Sequence, residues 1–88
     1  MYELGIVTGT WNRLGSLIRM VQSARVNIPR GLSYIITVVD GGSSDNTQDW
    51  CRRQPDINLI EHGELRGAIR AFCDGARATD ANKILLAN

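Results

Sequence analysis

The sequence predicts a Rossmann-like α/β protein, with three layers (α/β/α) and a mainly parallel sheet. Strand and helix patterns alternate along the chain as β-α-β-α-β-α-β, an order that favours right-handed crossovers and helices on the faces of the sheet. Residues 34–39 are apolar almost throughout, which indicates burial on both faces and therefore parallel pairing. A length of 88 residues supports a single small domain with one core.

Each element has its own signal in the sequence. Apolar and β-branched runs predict strands over residues 3–8, 34–39, 57–61 and 83–87. A helix is predicted over 14–26 because apolar side chains recur there at helical spacing: Leu14, Leu17, Ile18, Val21 and Ala24. Cap residues 44–47 open a short second helix that ends just before Pro55. The third helix, 67–78, is expected to approach the sheet closely through a mostly small face: Ala68, Ala71, Phe72, Gly75 and Ala76.

Composition excludes several classes of protein. The net charge is +1, and the nine arginines among the ten basic residues are scattered between acidic ones, so no basic stripe predicts nucleic-acid binding. The apolar runs are too short for a transmembrane segment, and the start of the chain does not resemble a signal peptide. We therefore expect a cytoplasmic protein, with peripheral association at the membrane left open. Cys51 and Cys73 are expected to be reduced thiols.

The most informative segment follows the second strand. Asp40 ends that strand, and Gly41 and Gly42 turn the chain. Ligands of open parallel sheets bind at the carboxyl ends of the strands, where a carboxylate and free backbone N–H groups suit a nucleotide. Residues 62–66 should lie near this edge, and the residues expected to converge there are Thr8, Gly9, Thr10, Trp11, Asp40, Gly41, Gly42 and Asn88. No G-x-G-x-x-G follows the first strand, which disfavours a dinucleotide-binding domain.

Several of these polar residues also have a purely structural interpretation. Taken alone, Asp40 fits equally well a residue that caps the turn after its strand. Four of them are more typical of helix caps than of ligand contacts: Ser43, Ser44, Asp45 and Thr47. Trp11 fits equally well a loop residue packed on the first helix. His62, the single histidine of the chain, is interpreted as a solvated loop residue.

Four segments in order resemble the family-two glycosyltransferases of the GT-A fold. Residues 7–13 resemble the first-strand motif I-P-T-Y-N-R, and residues 38–47 resemble V-V-D-D-G-S-x-D-x-T. Residues 64–75 are similar to the family's N-x-G-x-x-x-A-x-N-x-G segment. Residues 85–88 are similar to the strand that precedes the family's D-x-D metal motif. The resemblance covers the whole chain and implies the strand order 3-2-1-4.

This resemblance implies that residues 1–88 form the nucleotide-diphosphate-sugar-binding part of an inverting transferase. It places Thr8, Thr10, Trp11 and Arg66 around the base, beside the turn at Gly41 and Gly42. It also implies that Asp40 accepts a hydrogen bond from the base. A carboxylate accepts but does not donate, so Asp40 should favour the N3–H of uracil or thymine, and with it a UDP- or TDP-sugar.

The sequence also departs from the family pattern. Gly9 replaces the usual Pro, Gly41 replaces the second Asp, and Phe72 and Cys73 replace an Arg and an Asn. The D-x-D carboxylates are expected just past residue 88, so neither catalytic nor metal-binding residues are assigned. Mg²⁺ or Mn²⁺ is expected only in a full-length enzyme.

Two expectations follow from these missing parts. The chain alone is expected to be inactive as a transferase, and its fourth strand is expected to be an exposed edge that drives association between copies. The alternative is a non-catalytic module that binds a nucleotide or a partner with the same fold.

Overall fold

The computed structural model describes residues 1–64 and 67–87, with only the backbone described at residue 68. Seven elements alternate as predicted: β1 (Tyr2–Thr10), α1 (Leu14–Asn27), β2 (Tyr34–Asp40), α2 (Thr47–Arg52), β3 (Ile57–Glu61), α3 (Ala68–Ala78) and β4 (Ala81–Ala87). Neighbouring strands are parallel and run in the order β3-β2-β1-β4. The predicted fold class and strand order are therefore confirmed.

The boundaries differ from the predicted ones where strand pairing outweighs local pattern. β1 begins at Tyr2, which pairs with Ala81, and it continues to Thr10, which pairs with Asp40. Both β1 and β4 are thus longer than their apolar runs, because a neighbouring strand supplies hydrogen bonds to the polar ends. β3 spans the predicted residues, whereas α2 ends at Arg52, earlier than the cap pattern predicted.

One face of the sheet packs against α1 and α2. The core on this side consists of Ile6, Leu17, Val21, Ile36, Val38 and Cys51. Only Leu17 and Val21 of the predicted apolar face of α1 are fully buried. Burial raises the pKa of the Cys51 thiol to about 11, so this cysteine stays protonated and serves as an apolar core residue.

The other face packs against α3 at unusually close range. A Cβ built on Gly75 would overlap the side chain of Val7, and one built on Gly5 would overlap Thr79. The hydroxyl of Thr79 donates to the Gly75 carbonyl at 2.6 Å, so it accepts from the hydroxyl of Thr37, also at 2.6 Å. Glycine on strand and helix therefore permits the close approach that the small residues of α3 predicted.

The amino end of the sheet is closed by an ion pair. Arg25, near the end of α1, donates two hydrogen bonds to the carboxylate of Asp56 at 2.7 and 2.9 Å. Tyr34 at the start of β2 donates to the same carboxylate at 2.6 Å. This bidentate contact ties α1, β2 and the loop before β3 together.

β4 is the exposed edge of the described sheet. Its side chains Ile84, Leu85 and Leu86 are 39%, 55% and 53% exposed. The helices therefore leave an apolar strip uncovered along β4. None of the described helices is both long enough and apolar enough to cross a bilayer.

Candidate functional site

A cavity of about 640 Å³ opens at the carboxyl edge of the sheet. This volume is in the range of small-molecule binding sites. It extends from the ends of β1 and β4 to the first turns of α1 and α3. The lining residues are Thr8, Gly9, Thr10, Trp11, Arg13, Ser16, Leu17, Met20, Val39, Gly41, His62, Gly67, Ala71, Phe72 and Ala87.

Four of the predicted nucleotide-binding residues lie on the wall of this cavity: Thr8, Thr10, Trp11 and Gly41. Trp11 is 47% exposed, so the face of an indole is available to a ligand. Arg66 and Asn88, which were also expected at this edge, lie outside the described residues.

Asp40 and Gly42, which were also predicted to bind the nucleotide, are not among the residues that line the cavity. Asp40 is 0% exposed. Its Oδ2 accepts from the backbone N–H of Ser43 at 2.9 Å and from the side-chain amide of Gln48 at 2.7 Å. The N–H of Gly42 and the hydroxyl of Ser43 also donate to this carboxylate. Oδ2 thus accepts three hydrogen bonds and Oδ1 accepts one, so this carboxylate already has four donors within the protein.

Three of the four donors to Asp40 belong to a loop that is hydrogen-bonded to a second loop. We use the term "two-loop scaffold" for residues 11–13 after β1 and 41–46 after β2. Asn12 has a φ of 50°, and its backbone N–H donates to Ser43 Oγ at 2.9 Å. The side-chain oxygen of Asn12 accepts from the N–H of Ser44 at 2.7 Å. Each loop thus satisfies the backbone of the other.

Asp45 joins this scaffold to the helices. Its carboxylate accepts from the N–H of Leu14, the first residue of α1, at 3.3 Å and from the N–H of Thr47, the first residue of α2, at 3.1 Å. The hydroxyl of Thr47 lowers the pKa of the Asp45 carboxyl most, and the two backbone N–H groups add to this effect against the opposing influence of burial. Asp45 thus satisfies N–H groups at the starts of two helices, although the N-cap residues themselves are Arg13 and Asn46.

Gly42 has a specific structural requirement in the same loop. Its φ is +91°, and a Cβ at this position would lie 2.9 Å from the carbonyl oxygen of Gly63. The loop after β2 therefore touches the loop after β3, with glycine at the point of contact. The neighbouring Gly41 is buried, and its N–H donates to the carbonyl of Thr10 at 3.0 Å, which fixes the cavity floor beside β1.

Two basic side chains, Arg13 and His62, stand among the lining residues, and no described lining residue is a carboxylate. The imidazole of His62 is only 8% exposed, and its Nε2 lies 2.8 Å from Oδ2 of Asp74 on α3. The interpretation of His62 as a solvated loop residue was therefore wrong. The position directly after β3 was the available signal, because the carboxyl ends of parallel strands share one edge. The partner in α3 could not be inferred from the local pattern.

The described residues contain no group of three or more His, Cys, Asp or Glu side chains placed to hold a metal ion. The one carboxylate next to the cavity floor, that of Asp40, already accepts four hydrogen bonds. The described part of the chain thus does not fit a divalent cation.

Comparison with solved structures agrees with this fold. The chain is similar to a mannosyltransferase, PcManGT from Pyrobaculum calidifontis, solved in complex with GDP-Man and Mn²⁺, with a TM-score of 0.72 and 23% identity. The match covers 90% of this chain and 25% of the mannosyltransferase chain, so the chain spans about a quarter of the length of that protein. At this identity the likeness shows the fold, which is that of the GT-A glycosyltransferases.

The family model for glycosyl transferase family 2 matches residues 5–87. The chain therefore belongs to glycosyl transferase family 2. The curated proteins contain no match to it.

Proposed function

We propose that this chain binds the nucleoside diphosphate part of a sugar donor for a family 2 glycosyltransferase. The observation that carries the proposal is the character of the cavity at the carboxyl edge. Among its lining residues, Arg13 and His62 carry basic side chains and no described one is a carboxylate, which suits an anionic ligand such as a diphosphate. The exposed indole of Trp11 and the hydroxyls of Thr8 and Thr10 suit a base and a ribose.

The chain's own residues then divide into two groups by role. Arg13 and Trp11 contact the ligand from the loop after β1, and Thr8 and Thr10 contact it from the strand itself. Asp40 acts as a positioning residue, because it holds the two-loop scaffold in the conformation that presents Trp11 and Gly41 to the cavity. Rigid support of this kind lowers the ordering cost of ligand binding.

Sugar transfer with inversion also requires a base that accepts the acceptor's proton and a cation that neutralises the departing diphosphate. We propose that both are supplied by parts of the enzyme outside the described residues. On this proposal the chain binds a donor sugar nucleotide but does not release nucleoside diphosphate from it when an acceptor is added. Acceptor-dependent release by the purified chain would contradict this part of the proposal.

The identity of the base is a separate question. The motif resemblance favours UDP or TDP, but that preference depended on a free Asp40 carboxylate. The solved mannosyltransferase to which the chain is similar holds GDP-Man. A hydroxyl such as that of Thr8 both donates and accepts hydrogen bonds, so it discriminates less between bases than a carboxylate does. UDP- or TDP-sugars remain the donors we propose, with GDP-sugars as the comparison that tests them.

The proposal is tested by calorimetric titration of the chain with UDP-glucose, TDP-glucose, GDP-mannose and CDP-glucose. We expect saturable binding of at least one of them, with weaker binding of the corresponding nucleoside. Arg13→Gln should weaken the binding of the sugar nucleotide about tenfold, because it removes a charge-assisted contact. Arg30→Gln is the matched control, because Arg30 is exposed in the turn at the opposite end of the sheet. Equal weakening by both variants, or no binding of any sugar nucleotide, would contradict the proposal.

A further inference from the structure

His62 is a basic lining residue of the proposed donor site, and no individual ligand contact has been assigned to its imidazole. It follows β3, and its backbone N–H continues the sheet by donating to the Asp40 carbonyl at 2.9 Å. His62 is one of the residues that line the cavity, and its side chain is only 8% exposed. A loop histidine gains nothing from such burial unless its ring has a partner or a ligand.

Asp74 on α3 determines which part of the imidazole can reach a ligand. Nε2 of His62 lies 2.8 Å from Oδ2 of Asp74, but it has no accessible surface and no aligned hydrogen bond among the described residues. Any contact with a ligand must therefore be made through Nδ1 or through the ring carbons. Burial opposes the ionisation of Asp74, but Arg70 and His62 outweigh it and lower the pKa of this carboxyl. A charged Asp74 is thus present beside the ring at neutral pH.

We propose that His62, oriented by Asp74, is a proton-dependent contact for the anionic part of the bound sugar nucleotide. This inference rests on the proposed function. With one ring nitrogen held against a carboxylate, the neutral imidazole presents Nδ1 as an acceptor, whereas the protonated imidazole presents Nδ1–H as a donor with a positive charge. A diphosphate offers only acceptors and negative charge, so it binds the protonated form. Asp74 does not touch the ligand and acts as a positioning residue.

The other charged groups around His62 each have an interaction partner. Arg70 on α3 shares Asp74, at 3.3 Å from its Oδ2. Glu61, the preceding residue, is paired with Arg52 at 2.6 Å, and Glu64 follows in the same loop and also has an interaction partner. His62 is the single histidine of the chain, so one substitution at this position removes every imidazole.

The test is a titration of the chain with a sugar nucleotide and with the matching nucleoside at pH 6 and at pH 8. A sugar nucleotide is the correct probe because both of its phosphates are esterified, so the charge of the ligand stays constant over this range. We expect the sugar nucleotide to bind about tenfold more tightly at pH 6, the effect of one charge-assisted hydrogen bond, and the nucleoside to bind equally at both values.

Variants separate a role in binding from a role in folding. His62→Gln should abolish the difference between pH 6 and pH 8, and Asp74→Asn should reduce it. Arg70→Gln is the matched control, because it removes the other partner of Asp74 and leaves the imidazole in place. A merely structural pair would lower the free energy of unfolding in all three variants without changing the ratio of affinities.

A measurement on the unmodified chain covers the case in which the variants do not fold. The imidazole proton resonances of the single histidine should shift on addition of the sugar nucleotide at pH 6 and remain in place on addition of the nucleoside. Binding that is independent of pH, with an unshifted histidine, would overturn the inference and leave the donor site standing. Absence of sugar-nucleotide binding at both pH values would overturn the donor site and the inference together.

Discussion

Two aspartates at opposite ends of the sheet accept hydrogen bonds from different kinds of donor. Asp56, at the amino end, accepts from the guanidinium of Arg25 and from the hydroxyl of Tyr34. Asp40, at the carboxyl end, accepts from uncharged donors within the loop and helix that follow it, among them Ser43 and Gln48. One carboxylate is neutralised by a cation, and the other is surrounded by N–H and O–H dipoles.

The two ends of the sheet therefore have different roles. The ion pair of Asp56 joins elements that are far apart in sequence, so it closes the structure where no ligand is expected. The donors around Asp40 order a loop next to the cavity, and none of them is a cationic side chain. Asp40 therefore engages neither of the basic lining residues, Arg13 and His62.

The free energy of unfolding should fall most when a carboxylate charge at either end of the sheet is removed. Asp40→Asn should lower the free energy of unfolding by about 3 kcal/mol, because an amide has only one acceptor oxygen and its NH₂ group would face donors. Asp56→Asn should cost about 2 kcal/mol, because the partly exposed pair is screened by water. Urea denaturation of both variants at pH 7 measures the two values. A smaller loss of unfolding free energy in Asp40→Asn than in Asp56→Asn would contradict the positioning role assigned to Asp40.

Glycine substitutions extend the comparison between the two ends. Gly42→Ala should destabilise the protein by about 2–3 kcal/mol, since it combines a positive φ with a clash against the Gly63 carbonyl. Gly31→Ala is the control at the amino end, where φ is +85° and no atom lies within 4 Å of the added Cβ. It should cost only about 1 kcal/mol. Thermal unfolding of both variants gives the values. Equal costs would show that the loop after β2 is not in tight contact with the loop after β3.

Acid should weaken the amino end through Asp56. The hydrogen bonds from Arg25 lower the pKa of Asp56 most, burial opposes them, and Tyr34 adds to the lowering. A carboxyl with a lowered pKa in the folded state stabilises the protein above the pKa of the unfolded chain, and this contribution is lost as pH falls through the folded value. The free energy of unfolding should therefore decrease below about pH 4, and less steeply in Asp56→Asn. Equal slopes in the two proteins would contradict the assignment.

The smallest expected effect on stability concerns the exposed edge. We expect copies of the chain to associate through β4, because its side chains Ile84, Leu85 and Leu86 leave an apolar strip uncovered. Leu85→Lys should reduce association with a change in stability within about 0.5 kcal/mol. Val26→Lys, at a residue 83% exposed at the end of α1, is the control. Sedimentation equilibrium that shows only monomer at high concentration would exclude edge pairing.

The fold was predictable because its signals are local. Alternating strand and helix patterns, with a strand that is apolar on both faces, define a parallel sheet without knowledge of any contact. The ends of β1 and β4 were not predictable, because polar residues there join strands only through pairing with a neighbour, as in Tyr2 with Ala81. The order of the strands came from resemblance to a family and not from periodicity.

The site was predictable in position but not in every role. The rule for carboxyl strand ends located the cavity and the residues Thr8, Thr10 and Trp11. The sequence could not show that Asp40 is enclosed, because Gln48, one of its donors, comes from a separate helix. The burial of His62 likewise depends on Asp74, which lies in α3. In both cases the deciding partner lies in a different element from the residue it constrains.

The most direct test of this account is a high-resolution crystal structure of the chain bound to a sugar nucleotide. We expect Asp40 to keep its four donors and the ligand to contact the walls formed by Thr8, Thr10, Trp11 and Arg13. A base N–H within hydrogen-bond distance of the Asp40 carboxylate, with the Gln48 or Ser43 donor displaced, would contradict the positioning role assigned to Asp40.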